Sequence, residues 1–211
     1  MNCTIIDFHT HRLDATAALI AVDPRQFAPQ PGRCYSVGFH PWQDMEALTD
    51  EDFALLERCA RHPQVLAIGE TGLDRTRGAD LDTQAAAFAR HLRLAHELGL
   101  PVVVHNVRAT QDILDIRRRE HLDDVPLAIH GMRGNRNVAL TLLAAGCYLS
   151  FGLRFNPDAL LATPVDRLLI ETDDSTASID EVAASVACAL GSTTEQVTKA
   201  AAENARRLLS I

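Results

Sequence analysis

Eight short runs of strand-type apolar residues recur down the chain, and they constrain its fold more than anything else in it. They are residues 4–9 (TIIDFH), 18–22 (ALIAV), 34–39 (CYSVGF), 65–70 (VLAIGE), 101–106 (PVVVHN), 126–131 (PLAIHG), 147–152 (CYLSFG) and 167–172 (RLLIET). Each is nearly continuously apolar instead of alternating, the mark of parallel strands buried on both faces. Helical patterns follow many of them, at 50–61, 80–98, 108–121, 134–145, 178–190 and 193–210. Thr49 and Thr193 each place a hydroxyl just before acidic residues, which signals a helix start. Eight strands alternating with helices predict an α/β fold, a (β/α)8 TIM-like barrel.

The barrel is expected to be compact. Six residues separate His11 from Ala18, too few for a parallel crossover through a helix. Residues 23–33 carry three prolines and read as loop. Helices should therefore be missing around strands 1–3, and that flank is expected to be covered by a second copy or a partner protein. With 211 residues, no linker and no low-complexity stretch, the chain reads as one domain, 1–211.

Composition narrows the class of function. The hydrophobic share of 47% with 23% charged residues is that of an ordinary globular protein, and a net charge of -8 argues against a generic nucleic-acid coat. No secretory leader pattern and no membrane-length apolar run stand in the sequence, so the expectation is a cytoplasmic protein without membrane partners. Five cysteines, an odd number with no C-x-x-C pair, read as small buried thiols with no chemistry assigned.

In a parallel barrel, function gathers at the C-terminal ends of the strands. There the sequence places His9 and His11 after strand one, His40 after strand three, Glu70 after strand four, His105 after strand five, His130 after strand six and Asp173 after strand eight. Each alone is ordinary; together they point to a metal site. His62, His91, His96 and His121 fall in or beside helices and read as surface or packing residues. Mixed nitrogen and oxygen ligands favour zinc, manganese or iron over magnesium alone. Six ligands exceed the needs of one tetrahedral ion, so two divalent ions sharing a carboxylate is the economical arrangement. The single lysine, Lys199, lies in the last helix, which leaves Glu70 as the bridging candidate.

The stretches DFHTH, GFHP, GETGLD, PVVVH, IHGMRG, YLSFG, ETD and ENARRLL occur in an order that resembles the TatD-like metal-dependent deoxyribonucleases of the amidohydrolase type. The resemblance runs from residue 5 to about 209. It implies that His9, His11, Glu70 and Asp173 hold one ion, Glu70, His105 and His130 the other, and that His40 faces the substrate phosphate. It also implies a hydrolase that cleaves phosphodiester bonds, and the two divalent ions are expected to be zinc, manganese or magnesium. Three stretches depart from the family pattern: HNVR places Arg108 one position late, HGMRG replaces H-C-F-S-G, and ETDDS lacks the family's proline and long following loop.

Two such ions can activate a hydroxide and clamp the oxygens of an in-line displacement at phosphorus. Asp173 would then orient or deprotonate the nucleophile, with Asp173, Glu70 and His40 as the catalytic set. The strand-following loops are rich in arginine, whose planar fork suits phosphate; Arg75, Arg108 and Arg133 are the leading candidates. Arg117, Arg118 and Arg119 read as a solvated helix face. The resulting expectation is an exonuclease on DNA, since a pocket at a barrel mouth admits a strand end. The alternatives are a metal-dependent hydrolase of small-molecule amides or esters, and a non-catalytic barrel subunit of a larger assembly.

Overall fold

The computed structural model describes residues 4–211. Its eight strands are β1 (Asp7–Thr10), β2 (Ala18–Val22), β3 (Cys34–Val37), β4 (Val65–Asp74), β5 (Val102–Val107), β6 (Leu127–Ile129), β7 (Tyr148–Phe151) and β8 (Leu168–Ile170). They hydrogen-bond in sequence order and close into a parallel barrel. Helices α1 (Asp50–Ala60), α2 (Leu81–Leu98), α3 (Thr110–Arg119), α4 (Arg136–Ala144), α5 (Pro157–Leu161), α6 (Ile179–Leu190) and α7 (Thr194–Leu209) alternate with the later strands. The fold is thus the expected (β/α)8 barrel. The short α5 has no counterpart in the sequence reading, because five residues opened by Asn156 and Pro157 are too few to show a helical period.

By its internal contacts the chain forms two compact units. One joins the segment up to Ile20 to Ala128–Ile211. In it β1 pairs with β2 and with β8, Asp7 opposite Ala18 and Ile170, and β7 lies between β6 and β8. The fully buried Phe8, Leu19, Ile20, Leu149, Phe151, Leu169 and Ile170 fill its interior, under α6 and α7. Asn204 of α7 ties the entry to β8 by donating to the carbonyls of Val165 and Leu168, at 2.7 and 2.8 Å.

The other unit is Ala21–Leu127. Here β4 pairs with β3 on one side and β5 on the other, and its pairing with β5 slips between Ile68 and Thr71. Thr49 caps α1 in a reciprocal box with Asp52, and the left-handed Gly99 ends α2, as its loss of a Cβ allows. His91 of α2 is wholly buried. Its Nδ1–H donates to the Ala87 carbonyl at 2.7 Å while Nε2 accepts the Phe39 amide at 3.0 Å, which locks the backbone just before His40.

No α-helix lies between β1 and β2 or between β2 and β3; one 3-10 turn, Pro24–Gln26, interrupts the proline-rich loop. The strands at this flank are nonetheless buried within the chain itself. Two side-chain expectations need correction. Arg117 is buried, not solvated: its guanidinium donates to the carbonyls of Leu122, Asp123 and Val125, because the loop after α3 turns back over it and needs donors for its last carbonyls. Cys34 is disulfide-bonded, and Cys59 and Cys147 are buried; an odd cysteine count does not exclude one bridge.

Candidate metal centre

Two groups of ligands form, one in each unit. In the first, His9 lies on β1 with its ring fully buried, and His11 follows just past the strand end. Alternation along the strand turns both to one side, and their rings meet edge to face at 5.0 Å. Asp173 reaches them from three residues beyond β8. Its amide donates to the His9 carbonyl at 2.9 Å, its own carbonyl accepts the His11 amide at 3.3 Å, and its backbone takes a left-handed φ of 54°. An aspartate tolerates that conformation better than most residues. Its Oδ1 then stands 3.8 Å from His9 Nε2 and 3.6 Å from His11 Nε2.

Thr172 braces this arrangement. Its amide and hydroxyl donate to the two oxygens of Asp7 at 2.9 and 2.6 Å. Burial pushes the Asp7 carboxyl above its ordinary value, against the lowering effect of those two bonds. On the other side of Asp173, the His130 ring lies 4.3 Å from the His9 ring and its Nδ1 is 3.4 Å from Oε1 of Glu171. Glu171 is completely buried. Oε1 accepts the Gly131 amide at 2.6 Å, and Oε2 has no hydrogen-bond partner. Arg133 brings its guanidinium to 4.0 Å from Asp173 Oδ2.

In the second unit Glu70 lies within β4, four residues before its end, and not at the strand terminus as the sequence suggested. Its Oε1 is shared by His40 Nε2 at 2.9 Å and His105 Nδ1 at 2.7 Å. The Trp42 amide donates to His40 Nδ1 at 3.1 Å, which leaves the His40 proton on Nε2, toward Glu70. The local sequence GETG permits this approach. A Cβ on Gly72 would stand 2.1 Å from the His105 carbonyl oxygen, and the residue's φ of +145° belongs to glycine alone.

Behind His105 sits Asp74, with Oδ2 at 3.5 Å from its Nε2. Asp74 also accepts the Trp42 indole N–H at 2.7 Å and both the amide and hydroxyl of Thr76. Burial acts to raise its carboxyl, but these hydrogen bonds prevail and hold it below its ordinary value. Arg75 is engaged by Asp112 through contacts of 2.7 to 3.0 Å. Arg108 is exposed just past β5, with a left-handed φ of 55°.

The donor sets suit a divalent cation. His9, His11 and Asp173 offer atoms within 4.8 Å of one another, as do His130, Glu171 and Asp173, and His40, Glu70 and His105. His9, Glu70, His105, His130 and Glu171 are buried, His40 and Asp173 half-buried and His11 exposed, and the orphaned Oε2 of Glu171 is a carboxylate oxygen that calls for a cation. Sequence reasoning missed Glu171 and the role of Asp74. Glu171 stands next to last in the apolar run RLLIET, and Asp74 ends the stretch GETGLD. The one available signal was their adjacency to Asp173 in ETD and to Glu70 in GETGLD.

The metal-dependent hydrolase YabD of Bacillus subtilis, itself uncharacterized, is 31% identical over 197 residues, covering 83% of this chain and 77% of that protein. The 3′-5′ ssDNA/RNA exonuclease TatD of Cronobacter turicensis is 39% identical over 160 residues, 70% of this chain and 59% of that protein. The crystal structure of YjjV, a TatD homologue of Escherichia coli K12, matches the whole of both chains with a TM-score of 0.84 at 21% identity, a likeness of fold. Finally, the family model described as TatD related DNase matches residues 25–210, from the loop ahead of β3 through α7, and the chain belongs to that family.

Proposed function

We propose that the chain is a metal-dependent phosphodiesterase that removes nucleotides from the end of single-stranded DNA. The observation that carries this reading is the Glu70 carboxylate held between His40 and His105, 2.9 and 2.7 Å away, a buried acid whose neighbours are metal-competent nitrogens. The ligand assignment we adopt follows the family resemblance: His9, His11, Glu70 and Asp173 for one divalent ion, Glu70, His105 and His130 for the other. Bound there, zinc, manganese or magnesium would supply Lewis acidity to a water and to the phosphoryl oxygens.

The chain's own groups supply the rest. Asp173, partly open to solvent, accepts the proton of the attacking water at a carboxylate oxygen. His40 presents its Nε2–H to a phosphoryl oxygen once Glu70 is engaged elsewhere. Arg133 and the exposed Arg108 add positive charge where negative charge grows on the phosphoryl group; Arg75 is held by Asp112 and contributes less. No helix among the described residues is long and apolar enough to cross a membrane, and the reading is of an enzyme working in the cytoplasm. Because β1–β3 are buried by their own chain, the reading does not call on a partner protein at that flank.

The test is elemental analysis after metal reloading, beside cleavage of 3′- and 5′-labelled single strands, for wild type and Glu70→Ala. About two ions per chain and cleavage, both lost in the variant, are expected. Metal binding without DNA cleavage, joined to turnover of carboxyl esters, would replace the phosphodiester reading with a small-molecule hydrolase.

A further inference from the structure

Trp42 is the single tryptophan of the chain, and it sits in an unusual place for a large apolar side chain. It remains 44% exposed although its surroundings hold it from several directions. Its indole N–H donates to buried Asp74 at 2.7 Å, and its backbone N–H donates to His40 at 3.1 Å. Its ring meets the ring of His40 edge to face at 4.7 Å and that of His105 at 5.3 Å. The guanidinium of exposed Arg77 lies over it, 4.0 Å from the ring centroid. An indole fixed at its polar edge and left half open, beside candidate ligands and topped by a cation, is a stacking surface already in position.

Packing alone does not account for it. A core-filling tryptophan would be covered, and a casual surface one would not have its N–H satisfied by a carboxylate that also faces a candidate ligand. Aromatic faces paired with arginine bind successive bases of single strands without regard to sequence, because every base has a π-face.

Resting on the phosphodiesterase reading above, we infer that Trp42, with Arg77, is the subsite that stacks the nucleobase next to the scissile phosphate. It gives the enzyme its preference for nucleic acid over simple phosphodiesters. Trp42 touches substrate in this role but moves no proton, so its effect belongs in KM for oligonucleotides.

The single tryptophan makes the test direct. In metal-reloaded protein, indole fluorescence is followed while a short deoxyoligonucleotide is added, and then the same oligonucleotide with abasic sites at its two terminal positions. The normal strand should quench the indole in a saturable way, and the abasic one should not. Cleavage kinetics are then compared for wild type, Trp42→Phe and Trp42→Leu. Stacking predicts graded losses, slight for Phe and roughly tenfold in KM for Leu, the size of one stacked base. A role confined to holding Asp74 predicts equal losses, since neither variant keeps the indole N–H.

The loss from Trp42→Leu should also vanish on the abasic strand, where wild type has nothing to stack. Equal quenching by both strands, or equal losses in both variants persisting on the abasic strand, would overturn the inference. If wild type cuts no DNA at all, the failure lies with the phosphodiesterase reading; if it cuts normal and abasic strands alike, the failure lies with the stacking subsite.

Discussion

Single atoms decide most of what this molecule is able to do. Asp173 combines a carboxylate near two histidines with partial access to solvent, and its replacement by Asn keeps the shape while removing the proton acceptor. Asp173→Asn should lower turnover of bis-p-nitrophenyl phosphate by roughly a hundredfold or more, with the melting temperature of the metal-free protein little changed. Gly72 is a harsher case. A methyl there would collide with the His105 carbonyl, so Gly72→Ala should cost at least about 2 kcal/mol in urea unfolding and reduce the bound metal. Most of the candidate ligands were legible in the sequence because they follow strand ends, whereas Glu70 lies inside β4. Glu171 was not legible, since its partner Gly131 lies 40 residues away and only folding shows that the carboxylate is buried.

Elements carry the next layer. All eight strands and six of the seven helices are readable from apolar runs and capping residues, because burial on two faces and a hydroxyl before a helix are local signatures. Boundaries are less so: β4 runs four residues past Glu70 through GETGLD, where glycines that weaken a lone strand are required by the closeness of β5. The run Arg117–Arg119 shows the same limit. Three equal charges in sequence part company on α3, one buried beneath the following loop and two exposed, because helical geometry sends them in different directions. Arg117→Ala strips three backbone carbonyls of their donor and should destabilise the protein by roughly 2–4 kcal/mol, whereas Arg118→Ala should lie within about 0.5 kcal/mol of wild type by the same chemical denaturation.

At the scale of the whole molecule, stability should respond to acid and to metal. Burial pushes His91 down to about 4 from its ordinary 6.5. The unfolded chain therefore takes up a proton at this residue between those values while the folded chain does not, so stability is full above pH 6.5 and falls as the pH drops toward 4. The loss approaches roughly 3 kcal/mol over that window, and His91→Leu, though less stable at pH 7, should show a shallower decline from pH 6.5 to 4.5. Asp7, whose carboxyl is raised, acts in the opposite sense and is present in both proteins, so the difference isolates His91. Chelation should lower the melting temperature reversibly, since an ion that binds only the folded ligands stabilises that state by mass action. A melting curve indifferent to chelator and to added zinc or manganese would count against the ligand sets.

The main-chain stitch between β1 and Asp173 also governs when the protein is able to acquire its metal. Thr10 and Asp173 are 163 positions apart, and His9 and His11 gain their acidic companion only through that stitch. A ribosome must have released most of the polypeptide before the three groups coexist. Until then the β1 end of this trio is only a pair of neighbouring imidazoles. Filling of this trio is consequently an act of the finished, folded product, and an incomplete translation product ending before Glu171 would lack it, although it would still carry His40, Glu70 and His105.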